Sequence, residues 1–136
     1  MKTLIDMLIS FATAKLAKEK GFNLIVKNYY YPEAYGETNP IVDDQDIIED
    51  LNSHSSNAYY IAPTQSLLQR WLREVHGFNI VIVPSFDCFN IQRICQYSKE
   101  EQQNDNIELD GLDFKDFGSY EEALEEALQT ILLLIE

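Results

Sequence analysis

The stretch TQSLLQRWLREVHG, Thr64 to Gly77, runs directly into FNIVIVP, Phe78 to Pro84, and the change of hydrophobic period between them decides the fold. In the first part Leu67, Leu68, Trp71, Leu72 and Val75 share one helical stripe, while Gln65, Gln69, Arg70, Arg73 and Glu74 take the other side. Thr64 follows Pro63 and is placed to cap the helix, and Gly77 supplies the left-handed conformation that ends it. Trp71, on the apolar stripe, is expected to be buried. Beyond Gly77 the β-branched run Phe78–Val83 reads as a strand stopped by Pro84.

Working outward, Cys88 to Tyr97 alternates as Phe89, Ile91, Arg93, Cys95 and Tyr97 against polar neighbours, so an antiparallel hairpin with Phe78–Val83 is the simplest pairing. Ser98 to Asp113 is polar and reads as loop, with Leu112 and Phe114 as a short edge strand. Ser119-Tyr120-Glu121-Glu122 matches a capping box, in which a hydroxyl and a carboxylate satisfy backbone donors at a helix start. The helix that follows points Leu124, Ala127, Leu128, Ile131 and Ile135 to the core. Its end is apolar almost all round, so Leu132, Leu133 and Leu134 call for a second cover. The long loops of the same chain would supply it, or an antiparallel homodimer through this helix.

Toward the N-terminus, Ile5, Leu8, Ile9, Ala12 and Leu16 recur at helical spacing up to Gly21, with Thr3 as N-cap or Ser10 capping a shorter helix from Phe11. Phe22 to Tyr31 reads as a strand, residues 32–57 as a long polar loop, and Ala58 to Ile61 as a short strand before helix two. Together these elements predict a single α+β domain over residues 1–136. Its small, largely antiparallel sheet, built from the Phe22, Tyr59, Phe78 and Cys88 segments, packs against three helices.

Asp and Glu outnumber Lys and Arg by 23 to 10, a net charge of -13 that removes the positive footprint of a nucleic-acid or anionic-membrane binder and favours a basic protein partner. Two cysteines, Cys88 and Cys95, are too few for a disulfide framework and read as reduced thiols of a cytoplasmic protein. The N-terminal apolar run Leu4 to Phe11 is broken by Asp6 and continues as a helical pattern through Lys15 and Lys18, so it reads as helix rather than secretory signal. Ile131 to Ile135 is too short to span a bilayer.

Three segments, AKLAKEKGF (Ala14 to Phe22), APTQSLLQRWLREVHG (Ala62 to Gly77) and SYEEALEEALQTILLLI (Ser119 to Ile135), resemble small uncharacterised proteins of Bacteroidetes phages, prophages and mobile elements. The resemblance implies a genomic context and assigns no activity, cofactor or catalytic residue.

The chemistry-bearing residues are sparse. His54 and His76 are the only histidines, and neither has partners at metal or nucleophile spacing; His76 is placed to meet the negative end of the helix-two dipole. Asp43, Asp44, Asp46, Glu49 and Asp50 lack the glycine and terminal glutamate of a calcium loop and read as a solvated acidic stretch. No catalytic residue, metal or cofactor is assigned. The residues chosen for binding are Tyr29, Tyr31, Tyr35, Tyr59 and Tyr60, which flank the long loop and combine an apolar ring with a polar end. The expectation is a non-enzymatic accessory protein of a phage or mobile element that binds another protein through this tyrosine-flanked loop. The alternative is a small enzyme joining His54 or His76 to the loop carboxylates Asp43, Asp46 or Glu49.

Overall fold

The computed structural model describes residues 7–24, 26, 28–30, 41–42 and 60–135, with only the backbone described at 41–42. Among these residues lie three α-helices, α1 (Phe11–Glu19), α2 (Gln65–His76) and α3 (Tyr120–Leu134), and two three-stranded antiparallel sheets. The fold class is α+β. The strands are β1 (Asn28–Tyr30), β2 (Ile41–Val42), β3 (Tyr60–Ile61), β4 (Phe78–Pro84), β5 (Phe89–Ser98) and β6 (Gln103–Asn106). The four segments expected in one sheet therefore divide, the first two into a sheet ordered β2-β1-β3 and the last two into one ordered β4-β5-β6. By internal packing the chain forms two units, Met1–Gln65 with Leu132–Glu136, and Ser66–Ile131.

In the first unit, helix α1 begins at Phe11 because the Ser10 hydroxyl accepts the Thr13 N–H at 3.3 Å. Leu8 and Ile9, expected on the helix, lie before it. The Ile9 N–H donates to Pro63 O at 3.0 Å and the Gln65 N–H to Met7 O at 2.7 Å, so this stretch is held by backbone bonds to the segment before α2. At the other end Gly21 (φ +92°) and Phe22 close the helix: the Gly21 N–H bonds Lys18 O at 3.2 Å and the Phe22 N–H bonds Ala17 O at 3.0 Å. That closure buries Phe22 completely, and of the strand expected over Phe22 to Tyr31 the described residues form β1, Asn28–Tyr30. Within the expected loop, Ile41–Val42 pairs with β1, in the register Asn28↔Val42 and Tyr29↔Ile41. The rest of the 32–57 segment lies outside the described residues. Strand β3 pairs on the other side of β1, Tyr29↔Ile61 and Tyr30↔Tyr60, and the buried Tyr30 hydroxyl donates to Ile9 O at 2.7 Å.

In the second unit Leu68, Trp71 and Leu72 of α2 are buried, as their stripe requires. The stripe ends earlier than expected, with Val75 60% exposed. Gln65, placed on the polar side from sequence, is buried. Gly77, at φ +78°, turns the chain from helix to sheet: a Cβ there would stand 2.5 Å from Tyr97 O, and Gly77 O itself accepts the Tyr97 N–H at 2.9 Å.

Strands β4 and β5 form the expected hairpin, paired from Phe78↔Gln96 to Pro84↔Phe89. The register shifts between Val81, opposite Arg93, and Ile82, opposite Ile91, so Gln92 is an extra residue on β5. This bulge breaks the simple alternation: Ile91 and Ile94 are both buried and Arg93 is exposed. The polar stretch after β5, expected as loop, pairs instead as β6, from Cys95↔Asn106 to Ser98↔Gln103. Leu112–Phe114, expected as an edge strand, is a single 3-10 turn started by Gly111 at φ +88°.

Ser119 and Glu122 form the expected capping arrangement. The Ser119 hydroxyl accepts the Glu122 N–H at 3.1 Å, and the Glu122 carboxylate reaches back to the Gly118 N–H at 3.0 Å. Leu124, Ala127, Leu128 and Ile131 are buried along α3, and so is Leu132, while Leu133 and Leu134 are exposed.

Candidate protein-binding end of the second sheet

Two phenylalanines stand in solvent at the same end of the β4–β5 hairpin. Phe86 lies in the turn Ser85–Cys88, which the Ser85 N–H closes on Cys88 O at 2.8 Å; it is 103% exposed because a turn offers its ring no strand neighbour. Phe114 closes the 3-10 turn and is 85% exposed. The segment carrying Phe114 is tied to this end of the sheet. Phe89 and Phe117 exchange backbone bonds of 2.9 Å in both directions, and the Asn90 amide donates to Lys115 O and to the Asp116 carboxylate, both at 2.8 Å. The rings of Phe89 and Tyr120 meet edge-on at 6.2 Å between centroids.

Around these rings the charge is negative, with Asp87 in the turn and Asp110, Asp113 and Asp116 on the Phe114 segment, against Lys115 alone. Cys88 belongs to the same end and is half-buried. Desolvation, the hydrogen bond and charge of Asp116, and then the charge of Asp87 push its thiol above the ordinary value. It is therefore a protonated thiol at neutral pH rather than a thiolate nucleophile. Cys95 is buried.

His76, the last residue of α2, turns its ring edge-on to Trp71, 4.8 Å between centroids, and its Nε2 is buried without a hydrogen-bond partner. The helix dipole expected to act on it would raise its pKa, but desolvation dominates and lowers it. No group of three His, Cys, Asp or Glu residues among the described ones is placed to hold a metal. A cavity of about 490 Å³ beside the β5–β6 turn is open and polar, lined by Gln96, Ser98, Glu100, Glu101 and Asp105 among others.

The tyrosines chosen from sequence are only partly described. Tyr29 and Tyr60 sit half-buried in β1 and β3; the Tyr60 ring meets Phe11 edge-on at 5.4 Å and lies under Lys18 Nζ at 4.9 Å. Tyr31, Tyr35 and Tyr59 lie outside the described residues, as do His54 and the carboxylates Asp43, Asp46 and Glu49 of the enzymatic alternative. Phe86 and Phe114 were not chosen from sequence. The signal for Phe86 was nonetheless present, as a large apolar residue between Pro84-Ser85 and Asp87 in a connection too short to bury it.

No described helix is long and apolar enough to cross a membrane. No protein-family model matches this chain, and no curated protein or solved structure matches it.

Proposed function

We propose that this chain is a non-enzymatic accessory protein that works by binding another protein, and that it docks through the Phe86 and Phe114 end of the β4–β5 hairpin. The observation that carries the reading is the exposure of two large apolar rings, Phe86 wholly and Phe114 very largely, at one end of one sheet. Aromatic side chains supply much of the energy of protein interfaces when they fill pockets on a partner, whereas scattered single apolar residues carry no such meaning. The carboxylates around the rings favour a basic partner, since opposite potentials speed encounter and select against like-charged surfaces. The resemblance of the three segments to phage and mobile-element proteins supports that context, and the two free cysteines support a reducing, cytoplasmic setting. Exposed Leu133 and Leu134 support a second contact of the same kind, a homodimer through α3.

The test immobilises the protein and the double variant Phe86→Ser, Phe114→Ser, and compares what each captures from a bacterial lysate by mass spectrometry. The variant replaces only exposed rings, so its circular dichroism and melting should match the parent. Loss of specific captured proteins is the expected result. An unchanged set would overturn the proposed surface.

A further inference from the structure

The second sheet has two outer edges, and they differ. Strand β6, Gln103–Asn106, is four polar, exposed residues including Asp105, the kind of edge that discourages further pairing. Strand β4, Phe78–Pro84, is seven residues long and carries no charge; Asn79 to Val83 are half-buried. Its inner side is fixed by β5: the Tyr97 N–H bonds Gly77 O and the Ser85 N–H bonds Cys88 O. Between those two anchors backbone groups alternate in direction, so Asn79, Val81 and Val83 address β5, and Phe78, Ile80 and Ile82 turn their N–H and C=O groups outward. Among the described residues no strand pairs with that outer side.

We infer that β4 is a strand-addition site, taking an extended, β-branched-rich segment of a partner protein in antiparallel orientation, with a lysine or arginine at the segment's N-terminal end. The inference deepens the protein-binding reading and rests on it. Outward amides on alternate residues recognise an extended backbone, and half-exposed Ile80, Val81, Ile82 and Val83 give its apolar side chains a place to rest. Pro84, with no N–H, ends the ladder. An antiparallel segment begins where β4 ends, at the turn that carries Asp87, and a cation at its first residue meets that charge. A second copy of this chain is disfavoured as occupant, because each copy carries a net charge of -13.

The probe is the capped heptapeptide Lys-Val-Thr-Ile-Thr-Val-Thr, with the same peptide led by glutamate as control, and the readout is amide hydrogen exchange by NMR. The lysine peptide should slow exchange at Phe78, Ile80 and Ile82 and leave Asn104 and Asn106 of β6 unchanged. Ile80→Pro should abolish the effect by removing the central outward donor. Asp87→Lys, an exposed turn substitution that leaves the strand intact, should weaken the lysine peptide roughly two- to fivefold and favour the glutamate peptide. Absence of slowing with the lysine peptide at millimolar concentration overturns the inference. Equal slowing by both peptides, indifferent to Asp87→Lys, overturns the partner's chemistry. Protection that appears without peptide and rises with protein concentration, together with a doubled mass, replaces the foreign segment by a second copy. If the Phe86→Ser, Phe114→Ser variant loses its captured proteins while no amide is protected, strand addition fails and the binding reading stands; if neither changes, both fail.

Discussion

The two sheets of this protein are built on opposite principles. In the second sheet a ten-residue strand, β5, is flanked by β4 and β6 through a four-residue turn on one side and a short turn on the other, and nearly every pairing is local. In the first sheet, strands of two or three residues come together from distant parts of the chain, as in Tyr29↔Ile61, and side chains such as the Tyr30 hydroxyl reinforce them. Local pairing closes small loops at little entropic cost and needs few extra contacts; distant pairing must recover a larger closure cost from every contact it makes. The first sheet should therefore depend on single buried interactions, and the second on the helix and turn that align it.

The largest effect expected on the second sheet comes from Trp71→Ala. The ring is 8% exposed on α2, and truncating a buried tryptophan costs about 3–5 kcal/mol. The denaturant midpoint should fall accordingly, and an unchanged midpoint would show that α2 does not hold this unit together. Gly77→Ala comes next. Positive φ in a non-glycine residue and a Cβ placed 2.5 Å from Tyr97 O should together cost at least about 1–3 kcal/mol. If Gly77→Ala melts like the parent, the passage from α2 to β4 is not the rigid joint that its geometry implies.

Legibility followed the same division. The hairpin, α2 and the Ser119–Glu122 cap were readable because their signals are local: a stripe, a glycine, a hydroxyl three residues before a glutamate. The bulge at Gln92 was not, because a strand's alternation reveals no extra residue until its partner's register is known. Leu8 and Ile9 fit a helical stripe, yet the Ser10 cap and the backbone bonds to the Pro63 segment hold them outside α1, a tertiary choice that local spacing does not record. At the candidate site the acidity was legible, and so was a signal for Phe86 in its short connection, whereas the exposure of Phe114 was not, since a phenylalanine's type favours burial and only its place in a turn denies it.

Tyr30→Phe probes the first sheet with a smaller change. It removes only the hydroxyl that donates to Ile9 O, leaving a buried carbonyl without that partner, and should cost about 1–2 kcal/mol. The comparison between the sheets is sharpened if amide exchange accelerates in β1 and β3 while β4 and β5 are unaffected. Equal acceleration in both sheets would break it, because the two units would then open as one.

The smallest effect is a pH dependence carried by His76. Its ring packs on Trp71, its Nε2 is buried without a partner, and desolvation lowers its pKa from the ordinary 6.5. The neutral form is therefore the one that fits the fold. Above pH 6.5 the ring is neutral in both folded and unfolded chains, and its contribution to stability is fully present. As pH falls below that value the unfolded chain takes up a proton that the folded chain resists, so the unfolded state binds more protons and stability declines until the lowered folded value is passed. This is the opposite of a histidine stabilised by a helix C-terminus, whose charged form would strengthen the fold on acidification. His76→Gln should flatten the decline between pH 6.5 and about 5, above the range where most carboxylates titrate. His54 is present in both proteins and cancels in the difference. Denaturant midpoints measured across that window decide the point: parallel slopes would remove His76 from the acid response, and a steeper slope in the variant would mean that the helix dipole, not desolvation, governs the ring.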